Sequence, residues 1–252
     1  MEALRVEHLS KDFGGVHAVH NVSISLEVGE RLAMIGPNGA GKTTLFNLLS
    51  GQLPPTNGQV YLFGQEITHM AAHRRAHLGI ARSFQATTLF LNLTVMDNIF
   101  LALQGTRPSR FQMFRSATAY NHLYTKTWEL LDSMDLWEKR DDPVHAISYG
   151  EQRKLEIALS LASEPKLLLM DEPSTGLTTA ESADVIGMIR DLGKDITVIL
   201  VAHDMDLVFG VADRIIVLHY GEIIAEGAPG EIRTDSRVKE IYMGAEETKG
   251  NA

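Results

Sequence analysis

Apolar and polar residues alternate in short runs from Leu4 to Leu9 and from Val22 to Leu26, which predicts that the chain opens with β-strands. Arg31-Leu32-Ala33-Met34-Ile35 has the pattern of a buried strand that stops at Gly36. From Lys42 to Ser50 the spacing of Leu45, Leu48 and Leu49 suits a helix, with Gly51 placed to end it. Gln59 to Gly64 reads as another strand. A helical stretch follows from Thr94, an N-cap candidate with Asp97 three residues on, to about Leu136, interrupted near Gly105-Thr106-Arg107-Pro108-Ser109. It predicts a separate helical layer. Beyond it come a strand from Lys166 to Met170, a helix from about Thr179 to Leu192 and a strand from Thr197 to Ala202. Continuous apolar strands joined by a helix of that length predict βαβ units and a parallel sheet covered on both faces. Val217 to Ala225, centred on Tyr220-Gly221, predicts a terminal hairpin or an edge meander, and the polar tail from Glu246 to Ala252 is expected to fray.

Composition narrows the class. The chain has 252 residues, 44% of them hydrophobic, a formal charge of −9 and no cysteine. That excludes a disulfide scaffold and predicts ordinary globular folding. The longest apolar runs, such as Leu167 to Met170, fall far short of the ~18 residues that a spanning helix needs. The first residues carry acids and no apolar core, so no signal peptide is predicted and the expected address is the cytoplasm. A net-acidic chain without a basic arm is a poor binder of nucleic acid, and none is expected as a partner.

Gly36-Pro37-Asn38-Gly39-Ala40-Gly41-Lys42-Thr43 fits G-x-x-x-x-G-K-[ST], after a predicted buried strand and at the start of a predicted helix. Glycines allow such a loop to wrap phosphates so that successive backbone N–H groups face the negative charge. Lys42 is placed to reach the β- and γ-phosphates and the Thr43 hydroxyl to take a Mg²⁺ position. A phosphate loop also needs a carboxylate for the metal, and Leu167-Leu168-Leu169-Met170-Asp171-Glu172 supplies one at a strand end. Asp171 is the metal candidate. Glu172, just beyond the apolar run, suits the orientation or deprotonation of attacking water.

With these motifs the chain resembles the ATP-binding subunits of ABC transporters along nearly its whole length. Ile147-Ser148-Tyr149-Gly150-Glu151-Gln152-Arg153 is similar to the family signature, usually LSGGQ, with Tyr149 in place of a Gly and Glu151 in place of the Gln. Ser148 and Glu151 also form an S-x-x-E capping box, hence a helix N-terminus able to face an anion. The resemblance implies binding of ATP and Mg²⁺ through Gly36 to Gly41, Lys42, Thr43 and Thr44, with Gln85 of Arg82-Ser83-Phe84-Gln85 as the metal-sensing glutamine. It implies further that Phe13 stacks on adenine and that His203 is the switch histidine aligning Glu172 and water, so that Glu172, His203 and Lys42 form the catalytic set. Ser148, Gly150 and Glu151 are implied to meet the nucleotide of a second subunit. In the loop after Glu172, Thr178 stands where the family usually has an Asp that communicates across the dimer.

The implied fold is an α/β phosphate-loop core with a mainly parallel sheet, an N-terminal antiparallel β layer and an inserted helical layer. Residues of about 1–86 and 160–252 would form the core with its β layer, and about 87–159 the helical layer. The implied partners are transmembrane permease subunits, a second ATPase subunit in a homodimer or paralogous heterodimer, and indirectly a substrate-binding protein, which puts the chain on the inner face of the cell membrane. Phe13-Gly14-Gly15-Val16-His17-Ala18-Val19, the Arg82-to-Gln85 form, the signature and Val238-Lys239-Glu240-Ile241-Tyr242-Met243-Gly244 look most like an ATPase of branched-chain amino acid importers. Lipopolysaccharide-export ATPases have a similar ending and remain an alternative, as does a soluble ABC ATPase outside transport. The extra residues from about Gly105 to Thr125, with Arg107, Arg110, Phe111, Met113, Phe114 and Arg115, fit an amphipathic surface element or, preferably, a solvated loop. Leu89 and Phe90 are candidate apolar anchors for a permease helix, or core residues.

Overall fold

The computed structural model describes residues 1–83, 89–105 and 117–247, with backbone alone for 117–121 and 242–247. Two sheets share the chain. β1 (Glu2–Phe13), β2 (Val16–Glu27), β4 (Asn57–Leu62) and β5 (Gln65–Glu66) form an antiparallel sheet in the order β2-β1-β4-β5. The second sheet runs β10 (Glu222–Gly227), β9 (Arg214–His219), β3 (Arg31–Ile35), β8 (Thr197–Val201), β7 (Leu167–Asp171), β6 (Ile80–Arg82). Its strands are parallel except the edge strand β10. The helices are α1 (Lys42–Ser50), α2 (Ala72–His77), α3 (Val95–Gly105), α4 (Ala117–Asp132), α5 (Tyr149–Leu161), α6 (Thr179–Asp191), α7 (Met205–Val211), α8 (Pro229–Thr234) and α9 (Ser236–Glu247).

The parallel strands are apolar on both sides because they feed two cores. Leu32 and Met34 of β3 join Leu167, Leu169, Ile199 and Val201 against α1 and the antiparallel sheet, through Leu45, Phe46, Leu4 and Val6. Their neighbours Ala33, Ile35, Leu168, Met170, Val198 and Leu200 face Val95 and Ile99 of α3, Leu155 of α5, Val185 and Ile189 of α6, and Leu207 of α7. A one-residue slip would exchange the faces of a whole strand, so two differently shaped cores pin the register. The register sets Met34 level with Val201 and Val201 level with Asp171.

The predicted terminal hairpin is β9–β10. Tyr220 and Gly221 both have positive φ (48° and 83°), the conformation of a two-residue turn whose twist matches its strands. Thr94 accepts the Asp97 N–H at 3.0 Å, as a cap at that position requires. The preference for a solvated loop up to Thr125 is corrected, since Ala117 onward is helical in α4. Leu123, Thr127 and Leu131 recur every four residues and are buried, and that stripe drives the helix despite modest local propensity. Residues 106–116, with the arginines and aromatics noted there, lie outside the described residues. Of the polar tail, 246 and 247 belong to the end of α9, while 248–252 lie outside the described residues.

Candidate active site

Parallel alignment brings the C-terminal ends of β3, β8, β7 and β6 to one edge, where open α/β sheets bind ligands. The phosphate-loop segment leaves β3 there. Its glycines are required by the backbone: Gly41 has φ 101°, and a Cβ on it would lie 2.3 Å from the Ala18 carbonyl oxygen. Gly41 is also the N-cap of α1, which has no side-chain cap and no acid in its first turn. By contrast α5, α6 and α7 are capped by Ser148, Thr178 and Asp204. The leading N–H groups of Lys42, Thr43 and Thr44, which no helix can satisfy internally, are therefore left for an anion. Lys42 is buried and donates to the carbonyls of Gly36 (2.7 Å) and Pro37 (3.0 Å), bracing the loop from inside. Burial pushes its ammonium below the ordinary lysine range, while the charges of Glu172 and Asp171 oppose that shift. Pro37 is half-buried, Asn38, Gly39 and Thr43 are exposed, and Ala40 is buried.

Asp171 ends β7 and is 3% exposed. Burial raises its carboxyl above the ordinary range, and Arg82, whose Nη2 lies 3.2 Å from its Oδ2, pulls the other way. A buried carboxylate at the same edge as an uncapped helix fits a hard cation shared with phosphate oxygens. Glu172 follows in a left-handed backbone conformation (φ 49°), rare for a residue with a side chain and concentrated at functional sites. The Glu172 N–H donates to the Val201 carbonyl at 2.7 Å, which turns its carboxylate toward the end of β8. There His203 Nε2 lies 3.2 Å from Oε1, and the Thr175 hydroxyl donates to Oε2 at 3.0 Å.

Arg82, at the end of β6, was not assigned a role from sequence. Besides Asp171 its guanidinium reaches Asn47 (2.6 Å) and Gln52 (2.9 Å) and lies over the Phe46 ring. It thus ties the metal candidate to α1. Arg75 was missed as well. It is 1% exposed and donates to the carbonyls of Leu48, Leu49, Thr68 and Met70, closing the C-terminus of α1, and burial pushes its guanidinium down to about 10. The signal for Arg82 was a cation ending the apolar run Leu78 to Ala81; Arg75, beside Arg74 and between His73 and His77, carries no such mark.

The signature-like segment opens α5 with a complete capping box: Ser148 Oγ accepts the Glu151 N–H at 3.2 Å, and Glu151 Oε2 accepts the Ser148 N–H at 2.7 Å. Glu151 thus turns its carboxylate back on its own helix, and as an acceptor it offers phosphate no donor. Gly150 packs against Glu181: a Cβ there would lie 2.2 Å from Glu181 Oε1. Tyr149 is half exposed and its hydroxyl reaches the Thr175 carbonyl at 3.4 Å. Ser148, Tyr149, Thr175 and His203 are all exposed, and Thr175 links Tyr149 to the Glu172 that His203 contacts. Phe13 stands apart at the end of β1, 49% exposed, with Lys11 Nζ 5.2 Å from its ring centre. β1 is an inner strand of its sheet. Gln85 lies outside the described residues. Leu89 and Phe90 divide, Leu89 being buried and Phe90 59% exposed.

A phosphate loop between two cores, with an acid pair and a histidine on the same sheet edge, defines an ATPase of the phosphate-loop class. The sequence profile of the ABC transporter family matches residues 19–175, and that of the branched-chain amino acid ATP-binding cassette transporters matches residues 222–248. The chain belongs to the ABC transporter family and is one of its ATP-binding, ATP-hydrolysing cassettes. It is 36% identical to the high-affinity branched-chain amino acid transport ATP-binding protein BraF of Pseudomonas aeruginosa, across 96% of this chain and 97% of that one. The same figures hold for LivG of Escherichia coli, named for the same transport. Among solved structures it is similar to an ATP-binding cassette of an ABC transporter in its ADP conformation, with a TM-score of 0.85 and 30% identity over 97% of this chain and 99% of that one. Among the described residues no helix is long and apolar enough to cross a membrane.

Proposed function

We propose that the chain is the ATP-hydrolysing subunit of an importer for branched-chain or related amino acids, working as a dimer with itself or a paralogue on the cytoplasmic face of a membrane permease. The observation that carries the substrate class is the match of residues 222–248 to the branched-chain cassette family, supported by the names of the full-length relatives. In this reading residues of about 1–86 and 160–252 form the nucleotide-binding core with its β layer, and about 87–159 the helical layer.

The roles follow from the sheet edge. The loop from Gly36 to Gly41 and the free N–H groups of Lys42, Thr43 and Thr44 hold the phosphates, and Lys42 adds its charge. Thr43 and Asp171, with Gln85 from outside the described residues, would hold Mg²⁺, which when bound would neutralise charge on the phosphate oxygens. Glu172 accepts the proton of the attacking water as the water oxygen bonds to the γ-phosphorus and ADP departs. His203 and Thr175 keep that carboxylate aimed. Ser148, with the Gly150 backbone beside it, faces the nucleotide of the second subunit, and Phe13 stacks on adenine. Glu151 serves there by fixing the cap.

The test is reconstitution with candidate branched-chain amino acid permeases and a binding protein, followed by uptake of labelled leucine. Uptake that requires ATP and is abolished by Lys42→Ala is expected. ATPase activity stimulated by a lipid export system instead would overturn the substrate class.

A further inference from the structure

Arg153 lies 6% exposed inside α5, on the stripe that also buries Gly150 and Ile157. Its guanidinium gathers three consecutive carbonyls of the catalytic turn: Nη2 donates to Asp171 (3.2 Å) and Glu172 (2.7 Å), and Nε to Pro173 (2.9 Å). Nη1 is held by Glu156 at 2.7 Å. The turn so gripped contains the left-handed Glu172, a conformation that persists only where its surroundings impose it. On the other side of the turn, Thr178 is occupied as the N-cap of α6, and Glu181 of that cap lies against Gly150. The residue at the position that usually communicates across the dimer is thus engaged within its own subunit.

We propose that Arg153 is a positioning residue for Glu172, fastening the helix that opens at Ser148 to the catalytic turn of the same chain, so that contact of α5 with a partner's nucleotide sets the base at this chain's own site. It rests on the proposed dimer, and it assigns coupling between the two nucleotide sites to a buried arginine and three carbonyls. A guanidinium suits this task because its planar fork presents several donors in fixed directions, whereas a lysine ammonium is a single point that cannot span three carbonyls.

Arg153→Gln and Arg153→Lys in the full chain test it, beside the wild type and Glu172→Gln. Thermal melting, binding of a fluorescent ATP analogue, and kcat, KM and the Hill coefficient for ATP are measured. The expected result is binding within about twofold of wild type, kcat lowered at least tenfold in Arg153→Gln with partial recovery in Arg153→Lys, and a Hill coefficient falling toward one. The pH profile of the residual activity should keep its shape, since Arg153 places the base without changing its chemistry. If Arg153→Gln does not fold, Arg153→Lys decides. A folded variant with kcat within twofold of wild type and unchanged cooperativity overturns the proposal, and so does a loss of analogue binding in step with kcat, which marks general structural damage. Failure of the dimer reading is separately visible, because wild type would then show a Hill coefficient of one and Glu172→Gln no ATP-dependent dimer on size exclusion.

Discussion

His203 Nε2 sits 3.2 Å from Glu172 Oε1, joining the end of β8 to the end of β7 across the sheet edge. The two residues are brought together by register: Asp171 is level with Val201, so each partner lies one or two residues beyond a paired position. Glu172 has a second contact to Thr175, and the carboxylate is therefore oriented from both oxygens. A base held in this way is suited to one direction of proton transfer, and replacing it with an amide of the same shape separates placement from chemistry.

Glu172→Gln is expected to retain ATP binding, because neither the α1 N-terminus nor Lys42 is touched, and to hydrolyse on the order of 100-fold more slowly or worse. ATP should then accumulate a dimer visible by size exclusion. Turnover like that of the wild type would remove Glu172 from the base role, and a monomer in the presence of ATP would count against the Ser148 face as a nucleotide contact.

Arg75→Met removes a charge that bonds four carbonyls at the closed end of α1, Leu48, Leu49, Thr68 and Met70. The methionine fills much of the volume and satisfies none of the acceptors, and buried polar groups left unpaired cost about 1–3 kcal/mol each before relaxation. A loss of about 3 kcal/mol in denaturant unfolding is expected, with weaker nucleotide binding because α1 carries the phosphate loop. A midpoint within error of the wild type would show that water replaces the guanidinium readily.

How much of this was visible beforehand depends on the range of each interaction. The strands at Arg31, Lys166 and Thr197 and the helix at Lys42 announce themselves by local patterning, and the Ser148–Glu151 box by a spacing of three. Arg82 and Asp171 are 89 residues apart, and only the adjacency of β6 and β7 makes them partners. The left-handed backbone at Glu172 has no sequence mark, since the residues that usually adopt it are Gly, Asn and Asp. The helical reading up to Leu136 covers α4, and only its first half, up to Thr125, is obscured by the preference for a solvated loop there, because the buried stripe is thin.

Glu181 is one carboxylate expected to contribute to stability on the acid side. The Thr178 backbone N–H, followed by its hydroxyl, holds the Glu181 carboxyl below the ordinary glutamate value of 4.5. Because the folded value is depressed, the unfolded chain takes up the proton first on acidification. The contribution is complete above about 4.5 and is lost as pH falls through the lower folded value. Melting temperature between pH 6 and 3 should therefore fall less steeply in Glu181→Gln than in wild type, with the curves converging in acid. Parallel curves would place the acid sensitivity in other carboxylates.

The last prediction concerns where a permease docks. Leu89 is 8% exposed and belongs to the core shared with α3, whereas Phe90 is 59% and Leu91 45% exposed. Phe90 is fixed in place although its ring is out: the buried Asn98 side chain accepts the Phe90 N–H at 2.9 Å and donates to its carbonyl at 3.2 Å. An aromatic side chain presented on a clamped backbone is an anchor whose ordering entropy is already spent, which favours it as a contact for a short apolar helix. Phe90→Glu is expected to fold with stability within about 0.5 kcal/mol of wild type, as exposed substitutions do, and to keep its own ATPase activity while losing co-purification with the permeases. Leu89→Glu is the contrast, since a carboxylate in the core without a partner should unfold the helical layer or lower the melting temperature sharply. Permease binding by a folded Phe90→Glu chain would exclude Phe90 from the contact, and equal stability losses in the two variants would show that both side chains pack inward when the chain is in solution.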